Sequence, residues 1–132
     1  MYTHEIGQEA VHFRSNSCDN TIQNSTISYT GRTGPGYGEG IYIGSAVENW
    51  VNGIADLSNR NKVLNNHFGP NIGAEAIDIK EATEGHLIDG NYFDGTGMSG
   101  VNSAGIILKM EEEIKKKQTE FRFADCQEEI KF

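Results

Sequence analysis

Apolar and polar residues alternate along this chain in runs of three to five, and the runs recur. Val11-His12-Phe13, Ile41-Tyr42-Ile43 and Ile77-Asp78-Ile79 each place an apolar residue on both sides of a polar or aromatic one. A period of two with β-branched residues in excess is the signature of a strand. These runs sit inside a repeated phrase, AVHF at 10–13, GIYI at 40–43, AIDI at 76–79 and GIIL at 105–108. A second phrase keeps step with the first: NTIQNSTI at 20–27, NKVLNNHF at 61–68 and HLIDGNYF at 86–93. Aligned without gaps, it stacks Ile22 on Val63 on Ile88, Ser25 on Asn66 on Asn91, and Ile27 on Phe68 on Phe93. Self-similarity at such an interval predicts a solenoid. Each run is short and ends at Gly, Asn or Asp, so its partners must come from neighbouring coils and run parallel to it. The pattern predicts two strands per coil and a rise of ~4.8 Å between coils.

Successive coils are 30, 36 and 29 residues long, measured between Val11, Ile41, Ile77 and Ile106. The long middle interval contains AVENWVNGIADLSN, between Ser45 and Arg60, which breaks the repeat and carries Trp50, the single tryptophan. It reads as an inserted loop over 46–59, and insertions of this kind gather on the binding face of solenoids. The repeats occupy residues 1–108. Beyond Leu108, Glu111, Glu112 and Glu113 each precede a lysine by four positions, at Lys115, Lys116 and Lys117, which predicts a solvated helix over 109–132. Two readings of it stand side by side: a cap over an open solenoid end, or an unrelated tail.

Sixteen glycines in 132 residues, against an average near ~7%, agree with a chain rich in turns. The net charge is −8, with 12 acidic and 5 basic side chains before residue 109. An acidic body gains nothing from counterion release, which argues against nucleic acid and anionic membranes as partners. No apolar run approaches the ~18 residues of a membrane span, and the opening MYTHEIGQEA lacks the apolar core of an export signal. The two cysteines, Cys18 and Cys126, leave the compartment undecided.

The run EAVHFRSNSCDNTIQNSTISYTGRTGPGYGEGIYIGSAVENW, then NKVLNNHFGPN, then AEAIDIKEATEGHLIDGNYFDGTGMSG, resembles the right-handed parallel β-helix repeat proteins of the pectate-lyase-like superfamily. The likeness spans Ile6 to Ser103 and is strongest to a branch with phrases such as GYGEGIYIGSA and IDIKEGT. It implies an all-β, right-handed parallel β-helix of about four coils, a secreted-type protein, and action on polysaccharide as lyase, hydrolase or epimerase, in some members with calcium. The chain opens partway through a coil and leaves the pattern after Asn102-Ser103-Ala104, as a fragment of that domain would.

In the AVHF/GIYI/AIDI/GIIL sheet the middle residues point outward, which predicts a row of His12, Tyr42, Asp78 and Ile107. Arg14, Gly44 and Lys80 form the next row, and Glu9, Glu39 and Glu75 a third. A polysaccharide lyase needs a base for the proton beside a uronate carboxyl and a positive charge for the resulting enolate. Lys80 is the better candidate base; Arg14 holds its proton too tightly. The catalytic set is therefore Lys80, Asp78 and Arg14, with His12, Tyr42, Glu39 and Trp50 as substrate contacts. Calcium on Glu75, Asp78 and Glu81, with Glu39 in reach, would bridge to an anionic substrate, since hard oxygen ligands suit it. Hydrolysis is the alternative chemistry, through Glu75 and Asp78 as paired carboxyls. The expected state is a monomer, and the alternatives to an enzyme are a non-catalytic β-helix that binds glycan or is merely structural, and an inactive truncated piece. The plainest reading of every outward residue is a solvated face, because outward positions on an exposed sheet are polar.

Other motifs carry less. GPGYGEG at 34–40 imitates a phosphate loop but leads into a strand and lacks the following Lys and Ser or Thr. DGNYFDGTG at 89–97 fails the EF-hand pattern at Phe93. Asn65, Asn66 and Asn91 read as turn caps bonded along the stack.

Overall fold

The computed structural model describes residues 1–34, 36–98 and 105–108, the last two by backbone alone. The helix expected over 109–132 and Cys126 lie outside the described residues. The described residues form eleven short strands: β1 (Tyr2–Thr3), β2 (Val11–Phe13), β3 (Thr21–Gln23), β4 (Thr26–Ile27), β5 (Ile41–Ile43), β6 (Lys62–Leu64), β7 (His67–Phe68), β8 (Ile77–Ile79), β9 (Leu87–Asp89), β10 (Tyr92–Phe93) and β11 (Ile106–Leu108). They form three parallel sheets, β1-β4-β7-β10, β2-β5-β8-β11 and β3-β6-β9, visited in rotation as the chain advances. This is a parallel β-helix. Among the described residues no helix is long and apolar enough to cross a membrane.

Three sheets, where the sequence pattern predicts two strands per coil, follow from a bend inside the eight-residue phrase. Asn24, Asn65 and Gly90 occupy its fifth position with φ of 52°, 54° and 67°. That left-handed conformation ends one strand and starts another at an angle to it; Asn tolerates it and Gly adopts it without cost. The following residue turns inward and bonds along the stack. The Asn66 amide nitrogen donates to the Ile22 carbonyl at 3.0 Å, and its oxygen accepts the Ser25 N–H at 3.0 Å. Asn91 repeats the arrangement one coil on, donating to the Val63 carbonyl at 2.8 Å and accepting the Asn66 N–H at 2.9 Å. Buried backbone groups at the bend are thereby satisfied.

Registers agree with the aligned phrases: Ile22 pairs with Val63 and Val63 with Ile88, while Ile27 pairs with Phe68 and Phe68 with Phe93. The columns fill the coil interior with Ile22, Ile27, Ile41, Ile43, Val63, Phe68, Ile77 and Ile79. Phe68 and Phe93 stack with centroids 5.3 Å apart. Each fully buried side chain of this size contributes roughly 1.5–3 kcal/mol.

The inserted segment is shorter than the sequence break. Two 3₁₀ turns, Val47–Asn49 and Val51–Gly53, stand out from the coil. Residues Asp56 to Asn59 are buried and lie along residues 15–19 of the coil below. Asp56 holds the junction. Its carboxylate accepts the Ser15 and Asn16 N–H groups at 2.9 and 3.0 Å and the hydroxyls of Ser45 and Ser58 at 2.6 Å each. Burial works to raise its pKa, but these four donors outweigh burial and hold it below the usual carboxylate range. Ser45 precedes the insertion and Ser58 follows it, so one carboxylate ties both ends to the coil.

Candidate active site

Strands β2, β5 and β8 place His12, Tyr42 and Asp78 in one outward row, with Ile107 of β11 opposite Asp78 by backbone register. Glu39 and Glu75 keep the same register just before their strands, as the Gly40 N–H bond to the Glu75 carbonyl shows at 3.0 Å. The row is not a solvated face. Asp78 is 1% exposed, Glu75 4%, Lys80 7% and Glu39 9%. They form the inner part of a cavity of about 410 Å³ whose lining also takes in Gln8, Glu9, His12, Gly36, Tyr37, Tyr42, Ala46, Glu48 and Asn49. Polarity at period two separates inside from outside of the coil; it does not reveal that the insertion and Gly36, Tyr37 and Glu39 line a cavity over the outer face.

Within the cavity, one oxygen each from Glu39, Glu75 and Asp78 lies within 4.8 Å of the others. Lys80 Nζ meets Asp78 Oδ2 at 2.7 Å and stands 5.1 Å from the centre of the Tyr42 ring. Asp78 Oδ1 is buried and receives no hydrogen bond among the described residues. Burial, followed by the negative charges of Glu75, Asp78 and Glu9, raises the Glu39 pKa against a bond from its own backbone. Burial pushes the Tyr42 phenol up to about 12, with Lys80 opposing and the nearby carboxylates adding to the rise. Three carboxylates against one ammonium leave the inner cavity two negative charges in excess when all are ionised, an arrangement that favours either a retained proton or a bound cation.

His12 is held at both nitrogens. Nε2 donates to the Gly44 carbonyl at 2.8 Å, Nδ1 faces Glu9 Oε1 at 3.1 Å, and the ring meets Tyr42 edge-on at 4.4 Å. It braces the Tyr42 ring as well as lining the cavity.

Three residues from the sequence reading fall elsewhere. Arg14 is exposed and outside the lining, because the chain turns away directly after it, with Ser15 and Asn16 at φ 57° and 61°. Trp50 packs against Leu57 and Ala82 while its indole N–H donates to the Ser45 carbonyl at 2.9 Å, so the ring stabilises the insertion. Glu81 stands apart from the carboxylate trio, whose third member is Glu39; the chain turns at Glu81 and Ala82, the latter at φ 68°. Neither Glu48 and Asn49 nor Tyr37 was foreseen as lining. The position of the insertion in the repeat was the available signal for the first two.

Glu39, Glu75 and Asp78 are the residues that could hold a cation, since hard oxygen ligands from all three converge.

No protein-family model and no curated protein matches this chain. Among solved structures, the crystal structure of an alginate lyase from Paenibacillus sp. str. FPU-7 is similar, with a TM-score of 0.72 and 44% identity over 76% of this chain. The chain spans about a third of that enzyme's length, 34%. At this identity the chain is related to a polysaccharide-degrading enzyme that acts on an acidic polysaccharide.

Proposed function

We propose that the cavity binds a uronate-containing polysaccharide and cleaves it by β-elimination. The observation that carries this reading is the placement of Lys80 between Asp78 and the Tyr42 ring, at 2.7 and 5.1 Å, inside a cavity walled by carboxylates. The similarity to an alginate lyase supports it, as does the right-handed β-helix superfamily that the sequence resembles, whose members are usually secreted.

Lys80, once it has given up its own proton, takes the proton beside the uronate carboxyl. The electron pair left behind forms a carbon–carbon double bond, and the glycosidic carbon–oxygen bond breaks. Tyr42 keeps its proton to about pH 12 and so has one to supply to the departing oxygen. Negative charge collects on the substrate carboxylate as the first proton leaves. Burial raises the Glu39 pKa, which favours a proton there that can be donated in a hydrogen bond to that carboxylate. Glu39, Glu75 and Asp78 are the residues that would hold a calcium ion, which would supply positive charge at the substrate carboxylate. Hydrolysis with inversion fits less well, since oxygens within 4.8 Å of one another leave too little room for the water that such enzymes hold between carboxyls ~6.5–9.5 Å apart.

The test is incubation of the chain with alginate and other polyuronates, following the absorbance of the unsaturated product, with calcium and with chelator. Product from the wild type, lost in Lys80→Ala and in Tyr42→Phe, supports the reading. New reducing ends without unsaturation would replace elimination by hydrolysis, and binding without either product would make the cavity a glycan-binding site.

A further inference from the structure

The glycine-rich run 34–40 contributes Gly36, Tyr37 and Glu39 to the cavity lining, yet only Glu39 has a part in the chemistry above. Its base is held backbone against backbone. A Cβ on Gly38 would lie 2.4 Å from the Gly31 Cα and 3.1 Å from the Gly73 Cα, so side chains are excluded where the turn crosses its neighbours. The Thr30 hydroxyl donates to the Gly38 carbonyl and accepts the Gly73 N–H, the latter at 3.1 Å. The turn itself is closed by the Tyr37 N–H on the Gly34 carbonyl at 3.1 Å, with Gly36 at φ 90°. This anchoring fixes the backbone at Gly38, and the residue before it carries a large side chain.

That side chain is Tyr37, 67% exposed beside a cavity. Among the described residues its phenol makes no hydrogen bond and its ring has no aromatic or cationic partner. An aromatic ring left in solvent forgoes the burial that ordinarily justifies its size. The inner cavity, meanwhile, meets a polyanion with a surplus of carboxylates, so charge cannot supply much of the affinity for it. The face of a pyranose ring carries axial C–H groups and packs on an aromatic ring irrespective of charge.

We propose that Tyr37 is a stacking platform for a sugar ring of the bound polyuronate, next to the reacting unit. The proposal rests on the reading of the cavity as a polyuronate site. It makes Tyr37 a determinant of affinity and leaves the bond-breaking step to Lys80 and Tyr42.

The experiment measures binding of alginate oligosaccharides by calorimetry, together with kcat and KM for unsaturated product, in wild type, Tyr37→Ala and Tyr37→Phe, with a thermal melt of each. An aromatic contact worth ~0.5–1.5 kcal/mol predicts binding weakened and KM raised roughly 2- to 13-fold in Tyr37→Ala, kcat little changed, and Tyr37→Phe close to wild type. Unchanged binding and KM in Tyr37→Ala, with the wild type producing unsaturated ends, would overturn the platform and leave the elimination reading in place. Oligosaccharide binding that depends on Tyr37 in a wild type that forms no product would keep the platform and remove the elimination reading. A wild type that neither binds nor cleaves any polyuronate would overturn both.

Discussion

Lys80 Nζ and Asp78 Oδ2 meet at 2.7 Å, from side chains that are 7% and 1% exposed and two positions apart along the chain. Removing one member of a buried pair leaves the other charged and uncompensated, at a cost of about 3–5 kcal/mol. Here the cost is compounded, because Glu39 and Glu75 would face Asp78 with no ammonium between them. Lys80→Met, which keeps the side-chain stem, should lower the thermal midpoint at pH 7 and abolish turnover. The loss of midpoint should shrink as pH falls and Glu39, its pKa raised by burial, takes up a proton. A melt of Lys80→Met equal to wild type at pH 7 would mean the pair contributes nothing to stability.

Tyr42→Phe separates the phenol's chemistry from the ring's packing. The ring keeps its edge contact with His12 at 4.4 Å, so the melt should move little. Loss of the proton donor should lower kcat by roughly 10²- to 10⁴-fold with KM nearly unchanged. A phenol that titrates at about 12 also predicts no alkaline fall in activity from Tyr42 below pH 10. Stopped assays across pH 6–10 on wild type and variant check both statements.

Glu39 gives a pH dependence of known sign. Its pKa in the folded chain lies above the ordinary 4.5, chiefly through burial, so the folded state favours the protonated form. The stabilisation from that proton is fully present below pH 4.5 and is lost as pH rises through the folded value. Glu39→Gln carries a permanent neutral group and should therefore be more stable than wild type at pH 7, with the difference closing at low pH. Chemical denaturation at pH 4 and pH 7 reads this directly. Calcium reverses the comparison if the trio binds it: the ion should raise the wild-type midpoint and have a weaker effect on Glu39→Gln.

His86 works in the opposite direction. It continues the stack one coil beyond Asn61, where Asn61 Oδ1 accepts the Asn20 N–H at 3.0 Å and His86 Nδ1 accepts the Asn61 N–H at 3.2 Å. Burial lowers its pKa from 6.5 to about 4. A depressed folded value means stability that is complete above pH 6.5 and lost as pH falls toward 4, up to about 3 kcal/mol by linkage. His86→Asn offers an amide oxygen to the same N–H and continues the asparagine pair by one step. It should remove the midpoint's decline between pH 6.5 and 4 that belongs to His86. An identical pH profile in the variant would assign the decline to other groups.

The repeated phrases made the coils legible because each column of the core holds chemically similar residues: Ile22, Val63 and Ile88 pair as aligned. The outward row of His12, Tyr42 and Asp78 was legible for the same reason. The third sheet was not, since the bend at Asn24, Asn65 and Gly90 lies within a phrase whose alternation continues across it. Nor was the depth of the site. Side-chain alternation records which way Asp78 and Lys80 point from the coil, but their burial comes from segments outside the repeat. Arg14 and Trp50 were misplaced by the same gap: one lies just before a left-handed turn and the other on the insertion, where strand periodicity carries no information. That Glu39 completes the trio and Glu81 does not also required three dimensions, because the chain turns at Glu81 and Ala82.

Asp56 receives hydroxyls from Ser45 and Ser58 at 2.6 Å each, on either side of the two 3₁₀ turns. A segment closed off in this way can be exchanged as a cassette. Its exposed positions, Glu48 and Asn49 at the cavity among them, are the ones to vary, while Trp50 keeps its packing on Leu57 and Ala82. The fold thus separates a scaffold that tolerates little from a graftable wall, and alteration of substrate preference has a defined place to begin.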